Sequence, residues 1–353
     1  MNATSRPRYV LIDAFRGLAA CAVMLYHFTG GDLAPGLSQA FGQLFLQACK
    51  HGWVGVQVFF VLSGFVIANS VGDRPVFFAD VLRFALRRQV RLDPPYWVSL
   101  ALAAAIPWVL LHIGFQGTPM PSARVIGAHM VYLQEILRYP AIQPVYWTLA
   151  IEVQFYMVFI GALAMLRFAP QALVLWAVLA SGIASVDAAM HWRFLHGWFM
   201  PHWYLFVLGA MTCWVTARRI SLLTQLAFLS FLTYTAWRFH RLEPMVGVVT
   251  AAILTLAGRV HGLETWLSAR WLQLLGRLSY GIYLLHPIAG AQARWHVGIK
   301  VNVGSALGAV TVTAAAVALT IGLAWTMHRF VEEPAMRLAS KIRWRRDDSL
   351  ETA

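Results

Sequence analysis

Two basic side chains stand in the first long apolar segment of this chain, residues 11–28, LIDAFRGLAACAVMLYHF. Arg16 and His27 are eleven residues apart, which at ~100° per residue returns to within about 20° of the same direction, ~16 Å further along a helix. Groups of this kind inside a membrane segment are costly and by default mark a site. A guanidinium at one end suits an anion. An imidazole at the other suits a general base, or a nucleophile that carries an acyl group for one step. Asp13 lies one turn before Arg16 on nearly the same stripe, at the spacing of an i,i+3 ion pair.

Three further constellations have the spacing of a helical face. In residues 80–97, DVLRFALRRQVRLDPPYW, Arg83, Arg87 and Arg91 recur at i,i+4, and Arg88 is three residues before Arg91. Clustered guanidinium forks suit bidentate contact with phosphate oxygens. The same charges also serve as ordinary positive-inside residues or as contacts to lipid headgroups. Pro94-Pro95 is expected to turn the chain into the next span. In residues 145–159, VYWTLAIEVQFYMVF, the polar side chains Thr148, Glu152 and Tyr156 form one stripe. Glu152 is expected ~12 Å below the outer surface, where a carboxylate needs a partner or a proton. Tying helices together by a hydrogen bond would account for it as well as chemistry would. In residues 275–288, LGRLSYGIYLLHPI, Ser279, Tyr283 and His286 share a face, and Pro287 leaves the Tyr283 carbonyl without its helical donor. Alone, His286 reads more readily as a packing histidine than as a catalyst.

Other patterns carry less. His191, His196 and His202 are at intervals that do not stack on one helix face, so no metal is expected. Cys21, Cys49 and Cys213 form no disulfide or zinc pattern. Leu18-Ala19-Ala20-Cys21 imitates a lipoprotein cleavage box, but Asp13 and Arg16 interrupt the run before it, and the segment reads as an uncleaved anchor.

The elements that position these groups follow from composition. The 353 residues are 59% hydrophobic and 12% charged, with mean hydropathy +0.62, the profile of an all-α polytopic membrane protein. About ten spans are expected, near residues 10–29, 53–72, 93–114, 144–167, 171–190, 198–216, 220–238, 244–258, 276–294 and 303–328. With span-end residues counted in the adjoining segments, one side holds 19 Lys/Arg and the other 8. That asymmetry predicts an N-in, C-in arrangement. The net charge of +13 thereby has a topological reading, and no nucleic-acid-binding motif accompanies it. The long connection 116–144 has a middle that suits an amphipathic surface helix. Topology then sorts the candidates: Arg16, Arg88 and Arg91 near the cytoplasmic face, and His27, Glu152 and His286 from mid-membrane outward. The expected site has a cationic inner mouth and a histidine–carboxylate centre.

At these residues the sequence resembles the acyltransferase-3 family of integral membrane O-acyltransferases. Arg16 followed by ten residues and His27 is similar to the family's first-helix pattern. GVQVFFVLSGFVI (55–67), which contains Ser63, resembles its second-helix motif. Arg88-x-x-Arg91-Leu-Asp-Pro94 resembles its basic motif, and WTLAIEVQFY (147–156) resembles the motif that places the family's glutamate on Glu152. LGRLSYGIYLLHPI and RFVEEP (329–334) resemble the closing motifs. Gln57, Val153 and Asp93 depart from the common pattern, and Gln57 removes a carboxylate from its position.

The resemblance implies a membrane domain over residues 1–337, followed by a short cytoplasmic tail, 338–353, in a bacterial cytoplasmic (inner) membrane. It implies transfer of an acyl group, often acetyl, from cytoplasmic acyl-CoA to a hydroxyl of a glycan or glycosylated metabolite. Acyl-CoA is then a co-substrate, with no permanently bound cofactor, and membrane lipid is the other neighbour. His27 and Glu152 are the catalytic candidates, and Arg16, Arg88 and Arg91 the acyl-CoA-binding ones. Asp13, Ser63, Tyr156, Ser279, Tyr283 and His286 are expected to line the site. Two other readings of buried Arg, His and Glu stay open: a transporter for an anionic metabolite, and a subunit relaying acyl groups to a separate transferase.

Overall fold

The computed structural model describes residues 9–30, 34–72, 76–115, 117–166 and 197–342. Among these residues the regular structure is entirely helical. The main helices are α1 (Val10–Thr29), α2 (Ala34–Lys50), α3 (Gly55–Val71), α4 (Phe78–His112), α5 (Ala123–Met130) and α6 (Tyr146–Leu166). They continue with α7 (Trp203–Thr216), α8 (Leu222–Arg238), α9 (Leu242–Arg259), α10 (Arg270–His296), α11 (Ala306–Met327) and α12 (Glu333–Lys341). A π-helical turn, His328–Glu332, joins the last two.

Six candidate segments among the described residues are long and apolar enough to cross a membrane. The protein is an integral membrane protein. Helices coincide with nine of the ten expected spans, and the span expected at 171–190 lies outside the described residues. Three of the nine are not among the six crossing candidates: α7 and α8 have only 14 and 17 residues, and α10 carries Arg270, Arg277 and Arg294.

Small residues bring the helix backbones together. A Cβ on Gly17 of α1 would meet the Gly276 backbone of α10 at 2.7 Å, and one on Gly276 would meet the Asp13 carbonyl oxygen at 2.3 Å. Gly64 of α3 and Gly209 of α7 repeat the device, each abutting the other helix's backbone. In a bilayer, where lipid competes for apolar side chains, such close crossings supply packing that larger residues cannot. The α1–α10 crossing sets Asp13 and Arg16 beside Ser279 and Tyr280.

Helix α4 corrects one expectation. Pro94 and Pro95 do not turn the chain, and α4 is a single helix of 35 residues with Pro94, Pro95 and Pro107 inside it. Two proline N–H groups are missing, but neighbouring side chains bind this stretch: Tyr280 donates to the Leu92 carbonyl at 3.0 Å, and Tyr132 donates to Asp93 Oδ1 at 2.8 Å. These contacts seat the stretch beside the prolines against α10 and the segment after α5. The basic stripe and the span after it are therefore one rod, about 50 Å long.

The expected amphipathic segment in 116–144 is α5, eight residues capped by Ser122, whose hydroxyl accepts from the Val125 N–H at 3.4 Å. Its His129 is fully buried, with Nε2 3.2 Å from the Pro140 carbonyl and Nδ1 3.4 Å from the Tyr96 hydroxyl. This helix is fastened to α4 by polar contacts.

Candidate active site

A cavity of about 380 Å³ opens where α1, α3, α4, α6, α10 and the π turn converge. Arg16, Arg88, Arg91 and Arg277 line it, as do four carboxylates, those of Asp13, Glu152, Glu332 and Glu333. The Arg88 guanidinium lies over the Tyr156 ring at 4.9 Å and the Phe84 ring at 5.4 Å, so cation–π contacts from two helices fix its plane. Glu152 Oε1 accepts from the Ser63 hydroxyl at 2.5 Å and from the Tyr156 hydroxyl. The polar stripe of α6 thereby ties α3 to α6, and its upper member Thr148 meets the Tyr283 hydroxyl at 2.7 Å.

A narrower cleft of about 50 Å³ shares Arg16, Ser63, Glu152, Ser279 and Tyr280 with the cavity and adds Thr148 and Tyr283. Arg16 lines both spaces, whereas Arg88 and Arg91 line only the wider one. Arg16 is thus the one of the three sequence-expected arginines that reaches the cleft. The cleft ends at Tyr283, whose ring packs edge-on against Phe59 and stands 6.1 Å from the His286 ring.

Beyond Tyr283 lies a histidine pair. His286 Nε2 is 3.1 Å from His27 Nδ1, and the two ring centroids are 5.0 Å apart. His286 is fully buried, while His27 also lines a separate pocket of about 240 Å³ with Pro287, Gly290 and Thr313 among its walls. Backbone partners assign the protons. His286 Nδ1 is 3.0 Å from the Ile282 carbonyl, and His27 Nδ1 is 3.0 Å from the Val23 carbonyl. A carbonyl only accepts, so each Nδ1 carries the hydrogen. In two neutral rings, Nε2 of each is then a lone pair. His286 directs its lone pair at the His27 Nδ1–H, a hydrogen it shares with the Val23 carbonyl, and His27 Nε2 stays free to accept a proton, the state a general base requires.

The family model for an acyltransferase domain, Acyl_transf_3, matches residues 9–329. The chain belongs to the acyltransferase-3 family. This acyltransferase is similar to acyltransferase MdmB of Streptomyces mycarofaciens, 26% identical over 96% of this chain and 95% of that protein. It is 27% identical to nodulation protein 10 of Rhizobium leguminosarum bv. viciae, over 95% of each chain. It is also 27% identical to the peptidoglycan O-acetyltransferase OatA of Listeria monocytogenes, over 72% of this chain and 38% of that protein. No solved structure matches this acyltransferase.

In this acyltransferase the sequence-expected residues divide differently from the expected single centre. Arg16, Arg88, Arg91, Asp13, Ser63, Tyr156 and Ser279 gather around the wide cavity. Glu152 joins them there and does not sit with the histidines, which corrects the expected histidine–carboxylate centre. The reason is axial: Thr148 meets α10 at Tyr283, Glu152 lies one turn from Thr148 toward Ser63 and Ser279, and His27 meets α10 one turn from Tyr283 in the other direction, at His286. Arg83 leaves the basic stripe to pair with Asp80 at 3.4 Å. Gln57 is buried, and its amide nitrogen donates to the carbonyls of Trp53 and Val54 at 3.2 and 3.1 Å, a structural use. His202 packs its ring between Phe60 and Trp147, while His191 and His196 lie outside the described residues.

Sequence reasoning missed Tyr280, Arg277, His328, Glu332 and Glu333 on the cavity wall. The signal available was the RFVEEP motif and the four-residue spacing of His328 and Glu332, whose side chains meet at 3.1 Å.

Proposed function

We propose that this acyltransferase moves an acyl group, most often acetyl, from cytoplasmic acyl-CoA to a hydroxyl of a glycan or glycosylated metabolite. It would do so in a bacterial cytoplasmic membrane, with the arginine cavity and both termini facing inward. One observation carries the reading: an arginine-lined cavity narrows through a polar cleft toward a histidine pair whose far side opens into a second pocket. The ~16 Å between Arg16 and His27 along α1 excludes one small ligand touching both and fits a donor whose thioester lies far from its phosphates.

In this reading Arg88, Arg91 and Arg16 hold the donor's phosphates. The acyl arm follows the cleft past Thr148 and Tyr283. The acceptor hydroxyl gives its proton to His27 Nε2 as its oxygen attacks the thioester carbonyl. The carbon–sulfur bond breaks, and the proton passes to the departing thiolate, leaving ester and free CoA. His286 orients His27 through the Nδ1–H it accepts and steadies the imidazolium formed. In the competing route His27 Nε2 attacks first and holds the acyl group.

Release of CoA from radiolabelled acetyl-CoA by the detergent-purified chain, with and without a glycan acceptor, tests the reading. Acceptor-stimulated release is expected. A protein that binds acetyl-CoA but never cleaves it, even with acceptor, would overturn the reading in favour of a transporter. Cleavage that needs a second protein would make it a relay subunit.

A further inference from the structure

The π turn between α11 and α12 puts a carboxylate where a phosphate-binding cavity has least use for one. Glu332 is 6% exposed and lines the arginine cavity together with Arg91 and His328. Its Oε2 is 3.1 Å from His328 Nδ1, and since a carboxylate only accepts, the histidine is the donor. Its Oε1 is buried and has no hydrogen-bond partner. Among the described residues it is the one buried carboxylate oxygen of which that is true. Other acids on the same wall are engaged: Glu152 accepts from Ser63 and Tyr156, and Glu333 from Arg329 at 2.6 Å and Arg337 at 2.8 Å.

A buried acceptor left unpaired is expensive, and each one in a native site calls for an explanation. A phosphate cannot supply the missing partner, because it is itself an acceptor and carries the same sign of charge. The missing partner has to be an O–H or N–H. The backbone agrees with a specialised role, since π-helical turns inside α-helices are rare and recur at functional sites. This one interrupts the α11–α12 rod and places His328 and Glu332 on the cavity wall.

We propose that Glu332 Oε1 is a specificity-determining acceptor for an uncharged hydrogen-bond donor on the anionic ligand: a sugar hydroxyl, or an amide or amine N–H. The inference rests on the acyl-CoA reading above and deepens it. The arginines hold the phosphates, and Glu332 checks that those phosphates belong to a molecule that also carries a donor group. A bare polyphosphate meets the same arginines but offers Oε1 no donor and brings negative charge against it. The cavity therefore selects a CoA-like ligand over the inorganic polyphosphate of a cytoplasm.

The test is a pair of affinities with opposite expected signs. CoA and inorganic pyrophosphate are titrated calorimetrically into the full detergent-purified chain and into Glu332→Gln. The amide keeps the shape and removes the charge, and with its one oxygen accepting from His328 Nδ1 it presents an NH2 donor where Oε1 had been an acceptor. CoA should bind about tenfold more weakly to the variant, and pyrophosphate at least threefold more tightly. A fall in both affinities, the mark of a site merely damaged, overturns the inference, and so does no change in either. If Glu332→Gln does not purify as a folded protein, Glu332→Ser removes the same acceptor and is read identically. A wild-type chain that binds no CoA overturns the donor reading itself, and with it this inference. A wild-type chain that binds CoA and pyrophosphate exactly as the variant does overturns the inference alone.

Discussion

The two ends of α1 hold their basic side chains in opposite ways. At the Arg16 end the walls are charged and varied: four arginines face four carboxylates around about 380 Å³, and aromatic faces and hydroxyls fix the orientation of several of them. At the His27 end two imidazoles lie against each other, each with Nδ1 on a backbone carbonyl, beside a pocket of about 240 Å³. The first arrangement offers several charged groups at once, so a large polar ligand could meet more than one of them. The second has a single free imidazole lone pair, on His27 Nε2, and His27 is the one titratable base among the residues that line its pocket, Arg294 being a fixed cation. In the proposed function one end serves affinity and the other a proton or an acyl group.

That contrast orders the expected mutant effects. The largest belongs to His27→Ala, which should cut acyl transfer by a hundredfold or more while CoA affinity stays within about twofold. Rapid-quench labelling from radioactive acetyl-CoA without acceptor sharpens the outcome, because an acyl group found on His27 replaces general-base catalysis by a covalent relay. Normal turnover by His27→Ala would break the contrast altogether and leave the histidine a packing residue. His286→Leu should cost less, roughly tenfold in kcat with KM for CoA unchanged. It removes the lone pair that orients His27 but leaves the Val23 carbonyl bond.

Next in size is Arg91→Ala. A charge-assisted hydrogen bond contributes roughly 1.5–3 kcal/mol, so CoA binding should weaken about ten- to a hundredfold while turnover at saturating donor persists. Arg91→Lys should recover only part of the loss, because an ammonium lacks the planar fork. Unchanged CoA affinity in the Arg88/Arg91 double variant would return both residues to ordinary positive-inside charge.

The smallest expected effect belongs to Glu152→Gln. Ser63 and Tyr156 both donate to one of its oxygens, and an amide oxygen can still accept from them. A few-fold change in kcat with normal insertion is expected. Full turnover would make Glu152 a tie between α3 and α6 and nothing more.

Much of this site was legible in the sequence where periodicity alone decides geometry. Arg16 and His27 on one helix, or Thr148, Glu152 and Tyr156 on another, need no knowledge of a neighbour to be placed on a common face. The helical class followed from composition for the same reason. What the sequence did not disclose depends on how helices sit against one another. Glu152 was expected in one centre with His27, but the relative axial offset of α1, α6 and α10 is not written in any one helix, and it sets the carboxylate at the level of Ser63, on the other side of Thr148 and Tyr283 from the histidines. Pro94-Pro95 read as a corner because the contacts that embed this stretch of α4 come from Tyr132 and Tyr280, distant in sequence. Glu332 and His328 stayed hidden because a π turn has no hydrophobic period of its own.

The close crossing of Gly17 and Gly276 makes α1 and α10 a single bar, with Arg16 and Ser279 near one end and His27 and His286 near the other. The spacing between the two ends is then set by helical rise, not by a loop that could stretch or fold. Such a bar works as a gauge. Under the acyl-CoA reading it would measure the arm between a donor's anionic group and its acyl carbon, and an arm far shorter than the ~16 Å of helical rise between Arg16 and His27 would not satisfy both ends at once. In acetyl phosphate the anion sits directly on the acyl group, so that molecule is too short to be read however well the arginines hold it. Length, more than the chemical make-up of the arm, is what this acyltransferase would inspect before letting a carbonyl reach the histidine.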